Sequence, residues 1–190
     1  MAFDVEHVTG SPFPDRITGS DAANQIVAAF GPDTVQGLAG NDTFLEDARA
    51  NGADSIAGGI GRDEVFYSQR TGAVVIDTDG VADDGQAGEL DNVRSDVEVI
   101  FTGAGNDTVT GATAANAFTT GAGDDVVDGK GGADELFPGA GEDTALGGAG
   151  NDTIDADADG ASDVVRCGAG VDVAFIDEGV DVAIGCETLR

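Results

Sequence analysis

Two residues after an acidic or amide side chain stands an apolar one, and the pair recurs along nearly the whole chain at a spacing of nine. Number each unit so that Asp152 is sixth in Gly147-Gly148-Ala149-Gly150-Asn151-Asp152-Thr153-Ile154-Asp155. The sixth places are then Glu6, Asp15, Asn24, Asp33, Asp42, Asp54, Asp63, Glu98, Asp107, Asn116, Asp125, Asp134, Asp143, Asp152, Asp163, Asp172 and Asp181. The eighth places are Val8, Ile17, Ile26, Val35, Phe44, Ile56, Val65, Ile100, Val109, Phe118, Val127, Leu136, Ala145, Ile154, Val165, Ala174 and Ala183. Thirteen of the 16 steps are nine residues, and the others are 12, 35 and 11. A disordered acidic chain has no reason to keep an apolar side chain in fixed phase with an aspartate. A fixed short period instead predicts stacked units, none of which buries its apolar side chain alone.

The nonapeptide above and Gly58-Gly59-Ile60-Gly61-Arg62-Asp63 carry a specific likeness. The chain resembles the haemolysin-type, repeats-in-toxin (RTX) calcium-binding family. The resemblance implies an all-β fold, a right-handed parallel β-roll. In each unit six residues form a turn and three a short strand, and two units make one coil. The eighth side chain points inward, and calcium sits between turns stacked one coil apart. It covers two repeat blocks, 6–66 and 98–190, of one domain spanning 1–190.

Calcium takes six to eight oxygens, so one aspartate per turn is too few and backbone carbonyls must contribute. Glycine lets the turn adopt the necessary conformations. The implied metal residues are Asp33; Gly40 and Asp42; Gly59, Gly61 and Asp63; Gly103, Gly105 and Asp107; and Gly121, Gly123 and Asp125. They continue with Gly132 and Asp134; Gly139, Gly141 and Asp143; Gly148, Gly150 and Asp152; Asp163; and Gly168, Gly170 and Asp172. With 18 residues per coil, Asp107, Asp125 and Asp143 line one edge, and Asn116, Asp134 and Asp152 the other. The first turns are poorer, with Phe13 and Ala22 at the fourth place and Asn24 at the sixth, so weak or absent metal is expected there.

Each break in the period has its own chemistry. The 12-residue step predicts a bulge around Glu46–Asn51. Residues 67–97 read as an insertion loop with one strand at Ala73-Val74-Val75-Ile76 and an acidic stretch punctuated by Gly80, Gly85 and Gly88. There Asp79, Asp83, Glu89 and Asp91 are candidates for a separate calcium loop, against the competing reading of a solvated acidic surface. The 11-residue step contains Asp155, Asp157, Asp159, Gly160 and Asp163. DxDxDG matches the first half of an EF-hand loop, but the twelfth position is Arg166 rather than a bidentate glutamate. An accessory calcium loop and a solvated bulge both remain open.

Thirty-seven acidic residues against eight basic ones give a formal charge of −29. That excludes a nucleic-acid backbone as natural partner and disfavours anionic membrane surfaces. Carboxylates stacked in register repel, and a hard divalent cation, calcium, is the remedy. With one inward side chain per nine residues and 31 glycines, apolar burial is thin against the entropy of ordering the chain. Metal binding is therefore expected to be part of the folding free energy.

Cys167 and Cys186 lie one coil apart, offset by one residue. A strand spacing of about 4.8 Å and an offset of about 3.3 Å give a separation of roughly 6 Å, within disulfide range. A bridge implies an oxidising compartment. It also departs from the cysteine-poor RTX proteins exported in one step. Asp4-Val5-Glu6 echoes Asp96-Val97-Glu98, which reads as a start inside a motif and predicts a piece of a longer protein. No apolar run approaches a membrane span. His7 is the single histidine, and no nucleophile–base pair or zinc cluster is apparent, so no enzyme is expected here. The favoured role is a calcium-folded structural module of a secreted or cell-surface protein. The alternatives are an adhesin or filament segment with end-to-end or surface self-association, and the C-terminal tail of a secreted hydrolase.

Overall fold

The computed structural model describes residues 6–157 and 159–190. Asp4 and Val5, two of the three residues of the first copy of the echo noted above, lie outside them. The chain is all-β. Its first block contains β1 (His7–Thr9), β2 (Arg16–Thr18), β3 (Gln25–Val27), β4 (Thr34–Ala39), β5 (Thr43–Leu45), β6 (Ser55–Ile60) and β7 (Glu64–Phe66). The irregular stretch contains β8 (Val74–Asp77), β9 (Gly85–Gln86) and β10 (Asn92–Val93). The second block contains β11 (Val99–Phe101), β12 (Thr108–Thr110), β13 (Ala117–Thr119), β14 (Val126–Asp128), β15 (Glu135–Phe137) and β16 (Thr144–Ala149). It ends with β17 (Thr153–Ala156), β18 (Val164–Ala169), β19 (Val173–Ile176), β20 (Val182–Ile184) and β21 (Thr188–Leu189).

Outside the stretch from β8 to β10, successive strands do not pair with each other. They alternate between two faces, so that each pairs in parallel with the strand one coil away. One face is a single ten-stranded sheet, β1-β3-β5-β7-β11-β13-β15-β17-β19-β21. The other is divided into β2-β4-β6-β10 and β9-β8-β12-β14-β16-β18-β20. This is the parallel β-roll expected from the repeat. Register follows from burial, because a slip of one residue would turn every inward side chain out. Thus Ile26, Phe44, Val65, Ile100, Phe118, Leu136, Ile154 and Ala174 stack in one column, all buried. Among the described residues, no helix is long and apolar enough to cross a membrane.

Residues 67–97 differ from the expected insertion loop. They build three strands of one enlarged coil. β8 pairs in parallel with β12, β9 runs antiparallel to β8, and β10 pairs in parallel with β6. An antiparallel bridge between Asp84 and Asp91 joins the two part-sheets. The physical reason lies in the apolar residues of this stretch. Ile76 stacks on Val109 and Val93 on Ile56, taking eighth places in their columns. Val74 and Val97 are buried as well. The 35-residue step therefore keeps the roll continuous while reversing the chain twice.

The stretch at Glu46–Asn51 is also not a simple outward bulge. Ala48, Arg49 and Ala50 are exposed, but Glu46 and Asn51 turn inward and are buried.

Candidate metal centre

Each strand is short because a turn precedes it, and the sixth residue closes that turn. Along both edges of the roll, Oδ1 of a sixth-position aspartate accepts the N–H of the sixth residue one coil earlier. On the edge before the ten-stranded sheet, Asn24 donates to Asp42 at 2.8 Å and Asp42 to Asp63 at 2.7 Å. Further along, Asn116 donates to Asp134, Asp134 to Asp152 and Asp152 to Asp172, at 2.8–2.9 Å. On the opposite edge Asp15 donates to Asp33, Asp33 to Asp54 and Asp54 to Asp91. Past the enlarged coil, Val74 donates to Asp107, followed by Asp107 to Asp125, Asp125 to Asp143, Asp143 to Asp163 and Asp163 to Asp181.

The second oxygen of these carboxylates has no such partner. Oδ2 of Asp33, Asp42, Asp54, Asp63, Asp107, Asp125, Asp134, Asp143, Asp152, Asp163 and Asp172 is buried without a hydrogen bond. Native interiors pair nearly all such atoms, and an isolated buried charge is strongly unfavourable. Where the chain supplies a partner, the pattern changes. Asp15 Oδ2 accepts from Ser11 N–H and Oγ, Asn24 Oδ1 from Ser20 N–H, Asn116 Oδ1 from Ala112 N–H, and Asp91 Oδ2 from Tyr67 Oη. The orphaned oxygens are therefore selective for particular turns.

Backbone carbonyls surround them. A Cβ placed on Gly147 would lie 2.5 Å from both Asp152 Oδ2 and the Cys167 carbonyl, so the two oxygens converge on the space a side chain would fill. Gly129 shows the same meeting of Asp134 Oδ2 with the Gly147 carbonyl, and Gly37 that of Asp42 Oδ2 with the Gly58 carbonyl. On the other edge, Thr102 and Thr120 take the first place. Their hydroxyls donate to the carbonyls of Thr120 and Pro138 and lie beside the Asp107 and Asp125 carboxyls, whose pKa values they help to lower.

The glycines serve two different needs. Gly40, Gly59, Gly105, Gly121, Gly123, Gly132, Gly139, Gly141, Gly148, Gly150, Gly168 and Gly170 have positive φ, as the turn requires. Gly61 and Gly103 do not. Their reason is close approach, because a Cβ on Gly61 would collide with the Gly40 carbonyl and one on Gly103 with the Arg70 carbonyl. Leu38 and Lys130 adopt positive φ with full side chains.

Burial raises the carboxyls of Asp33, Asp42, Asp107, Asp125, Asp152 and Asp163 above the ordinary aspartate range. It lifts Asp54, Asp63 and Asp143 to about 6 and Asp134 to about 7. The donated N–H groups draw them back by less than burial raises them. A dry array of carboxylate and carbonyl oxygens with this much unbalanced charge fits a hard divalent cation.

Two candidate loops are arranged differently from expectation. Asp79, Asp83, Glu89 and Asp91 do not converge. Glu89 and Asp91 face the interior, Glu89 against Arg70 and Asp91 against Tyr67 and Asp54 N–H, while Asp79 and Asp83 gather with Asp77 outside. The reason is the fold of the stretch, since the segment between β9 and β10, which holds Glu89 and Asp91, is carried into the second face. Asp155, Asp157, Asp159 and Asp163 do not gather either. Asp163 joins an edge ladder, and Asp159 accepts N–H groups from Gly141, one coil back, and from Ala161. Asp155 lies at the outer surface of β17 and Asp157 is exposed.

A buried polar cluster escaped the sequence reading. Arg70 is fully buried. It pairs with Glu89 at 2.7 Å, lies 3.9 Å from Glu46, bonds to Gln86 and Asn51, and sits over the Tyr67 ring. Asn51 donates to Glu46 and to the Ala29 carbonyl. The signal was faint, one of two arginines, Arg70 and Arg94, inside an acidic insertion. The two cysteines do meet, as Cys167–Cys186 with Cα atoms 5.0 Å apart.

Comparison with known proteins is consistent with this geometry. No curated protein matches the chain. The RTX calcium-binding nonapeptide repeat matches residues 6–35, 18–45, 50–68, 101–136, 110–145, 128–160 and 137–174 in overlapping sets. These cover well over half of the sequence, and on that match and its stacked calcium-type turns the chain belongs to the RTX calcium-binding nonapeptide repeat family.

Proposed function

We propose that this chain is a structural module that calcium folds, working in a protein outside the cell. The observation that carries this reading is the row of buried aspartate Oδ2 atoms without partners, each an oxygen acceptor that the protein leaves unsatisfied. In this reading Asp42, Asp63, Asp134, Asp152 and Asp172 hold calcium along one edge. Asp33, Asp54, Asp107, Asp125, Asp143 and Asp163 hold it along the other, with turn carbonyls completing the oxygen set. The metal supplies charge neutralisation. The chain supplies the spacing of carboxylates in the folded coils, set by the N–H that each Oδ1 accepts.

Without the ion, stacked coils bring like charges together, and one inward side chain per unit is little to oppose that. Scarce calcium then keeps the chain open, and abundant calcium closes it. The disulfide supports an oxidising destination.

The test is far-UV circular dichroism during a calcium titration begun in chelator, with magnesium as control. A coil-to-β transition with calcium alone is expected. A β spectrum already present in chelator at pH 8, where the edge carboxyls are ionised, would overturn the proposal.

A further inference from the structure

Cys167 is the first residue of its unit, the place that Gly37, Gly58, Gly129 and Gly147 take in earlier units. Its carbonyl oxygen faces one coil back. There it converges with Asp152 Oδ2 on the space that a side chain at Gly147 would fill. Asp152 Oδ2 is buried and has no hydrogen-bond partner. One cradle for an ion is therefore built partly from the backbone of a disulfide-bonded cysteine.

In two earlier cradles the converging carbonyl is held from one coil further on. The Gly147 carbonyl, which meets Asp134 Oδ2, belongs to β16, and the register of β16 with β18 runs on through Gly148–Gly168 and Ala149–Ala169. The Gly58 carbonyl meets Asp42 Oδ2, and Gly58 N–H donates to Asp96 Oδ1 at 3.2 Å. At Cys167 the backbone support is shorter. The register of β18 with β20 stops at Arg166–Ile184. The coils then move apart. A Cβ on Gly168 would lie 2.1 Å from the Gly148 carbonyl, but one on Gly185 would lie 3.8 Å from the Gly168 carbonyl. Where the register stops, the Cys167–Cys186 bond takes over, with Cα atoms 5.0 Å apart. Cys167 is fully buried and Cys186 packs against the core, so the bond fixes the Cys167 backbone from the far side.

We propose that the Cys167–Cys186 bond tunes the Asp152 cradle: it holds the Cys167 carbonyl in place for calcium, and calcium bound there protects the bond from reduction. The proposal rests on the reading that Asp152 holds calcium. Cys167 is then a positioning residue for one ion. The two effects are a single coupling free energy seen from two sites, so they are equal in size. Reduction passes two electrons and two protons from a dithiol to the bridging sulfurs, which leaves two thiols on the chain and a cyclic disulfide on the reductant. At saturating calcium the cradle stays filled in either redox state. At limiting calcium the reduced chain gives up this ion first.

The test is a redox titration of the whole chain at saturating calcium. Reduced and oxidised dithiothreitol form the buffer, and thiol alkylation read by mass spectrometry gives the fraction reduced. Wild type, Asp152→Asn and Asp134→Asn are compared, each confirmed to have the wild-type β spectrum. Asp152→Asn is expected to reach half reduction at a dithiol-to-disulfide ratio severalfold below that of the wild type, and to shift severalfold more than Asp134→Asn. A bridge that merely clamped the coil would not tell these two losses of charge apart, so equal midpoints for the two variants overturn the proposal. Where Asp152→Asn falls short of the wild-type spectrum, Cys186→Ala answers instead, with calcium withdrawn stepwise by dialysis. It is expected to release its first ion at a calcium concentration severalfold higher than the wild type does, while its β spectrum still holds. Coincident release curves overturn the proposal. The calcium-folding reading fails on a different result, a β spectrum in chelator at pH 8, so the two failures are distinct.

Discussion

Arg70 Nη2 lies 2.7 Å from Glu89 Oε1 with both side chains fully buried, and the cluster gathered around this pair ties the two irregular stretches of the chain to each other. Glu46 and Asn51 come from the 12-residue step, and Arg70, Gln86 and Glu89 from the 35-residue step. Breaking one partner of a buried pair typically costs about 3–5 kcal/mol, because the other charge is stranded. Arg70→Met is therefore expected to lower the stability of the calcium-loaded protein by that amount, read from its urea midpoint and slope.

Glu46 gives the cluster a pH signature. Burial first, then Asp54 and Asp91, raise its carboxyl to about 8. A carboxyl raised in the folded state contributes stability below its unfolded pKa and loses it as pH climbs through the folded value. Glu46→Gln, which mimics the protonated form, is expected to be nearly neutral at pH 4 and stabilising at pH 9. Urea denaturation at the two pH values decides it.

The edge aspartates follow the same sign. Asp54, Asp63 and Asp143 at about 6 and Asp134 at about 7 favour the protonated metal-free roll. In calcium-free buffer the β spectrum is expected to be strongest near pH 4 and to fade as pH rises through 6 to 7. Saturating calcium should hold it at pH 7. A metal-free chain that gains structure between pH 5 and 7 would contradict this.

Asp134→Asn removes one charge at an orphaned oxygen, and Asp157→Asn removes one in open solvent. The first is expected to raise the calcium midpoint for folding on the order of tenfold, equivalent to about 1.4 kcal/mol. The second should leave it unchanged.

Gly150 and Gly160 separate close approach from conformation. Both have positive φ, but a Cβ on Gly150 would collide with the Gly132 carbonyl, and one on Gly160 meets nothing within 4 Å. Gly160→Ala is expected to cost about 1–2 kcal/mol, the strain of a left-handed residue. Gly150→Ala should cost more than that, since the coils must part, and thermal denaturation in calcium would rank them.

Cys167–Cys186 closes the last coil over a separation of 19 residues. A loop of this length corresponds to about 3 kcal/mol in the chain-entropy view. Reduction is expected to speed amide exchange in 182–190 and to leave 98–155 protected, read by hydrogen-exchange mass spectrometry.

The ladders were legible because their cause is periodic. An aspartate such as Asp152 and the Ile154 two places on repeat at nine, and two units make a coil, so a residue's number alone assigns its edge and its direction. The disulfide was legible for the same reason, since phase and coil number place Cys167 beside Cys186. Where the period failed, that arithmetic failed with it. Nothing in the order of residues says that Asn51 meets Arg70, that Val93 takes the place of an eighth residue, or that Asp77 rather than Glu89 joins Asp79 and Asp83. Those outcomes depend on how an enlarged coil fills the gap between β6 and β12. Inward apolar side chains, a doubly reversed strand and one arginine that must not be buried alone decide them, and each is a contact between segments far apart in sequence.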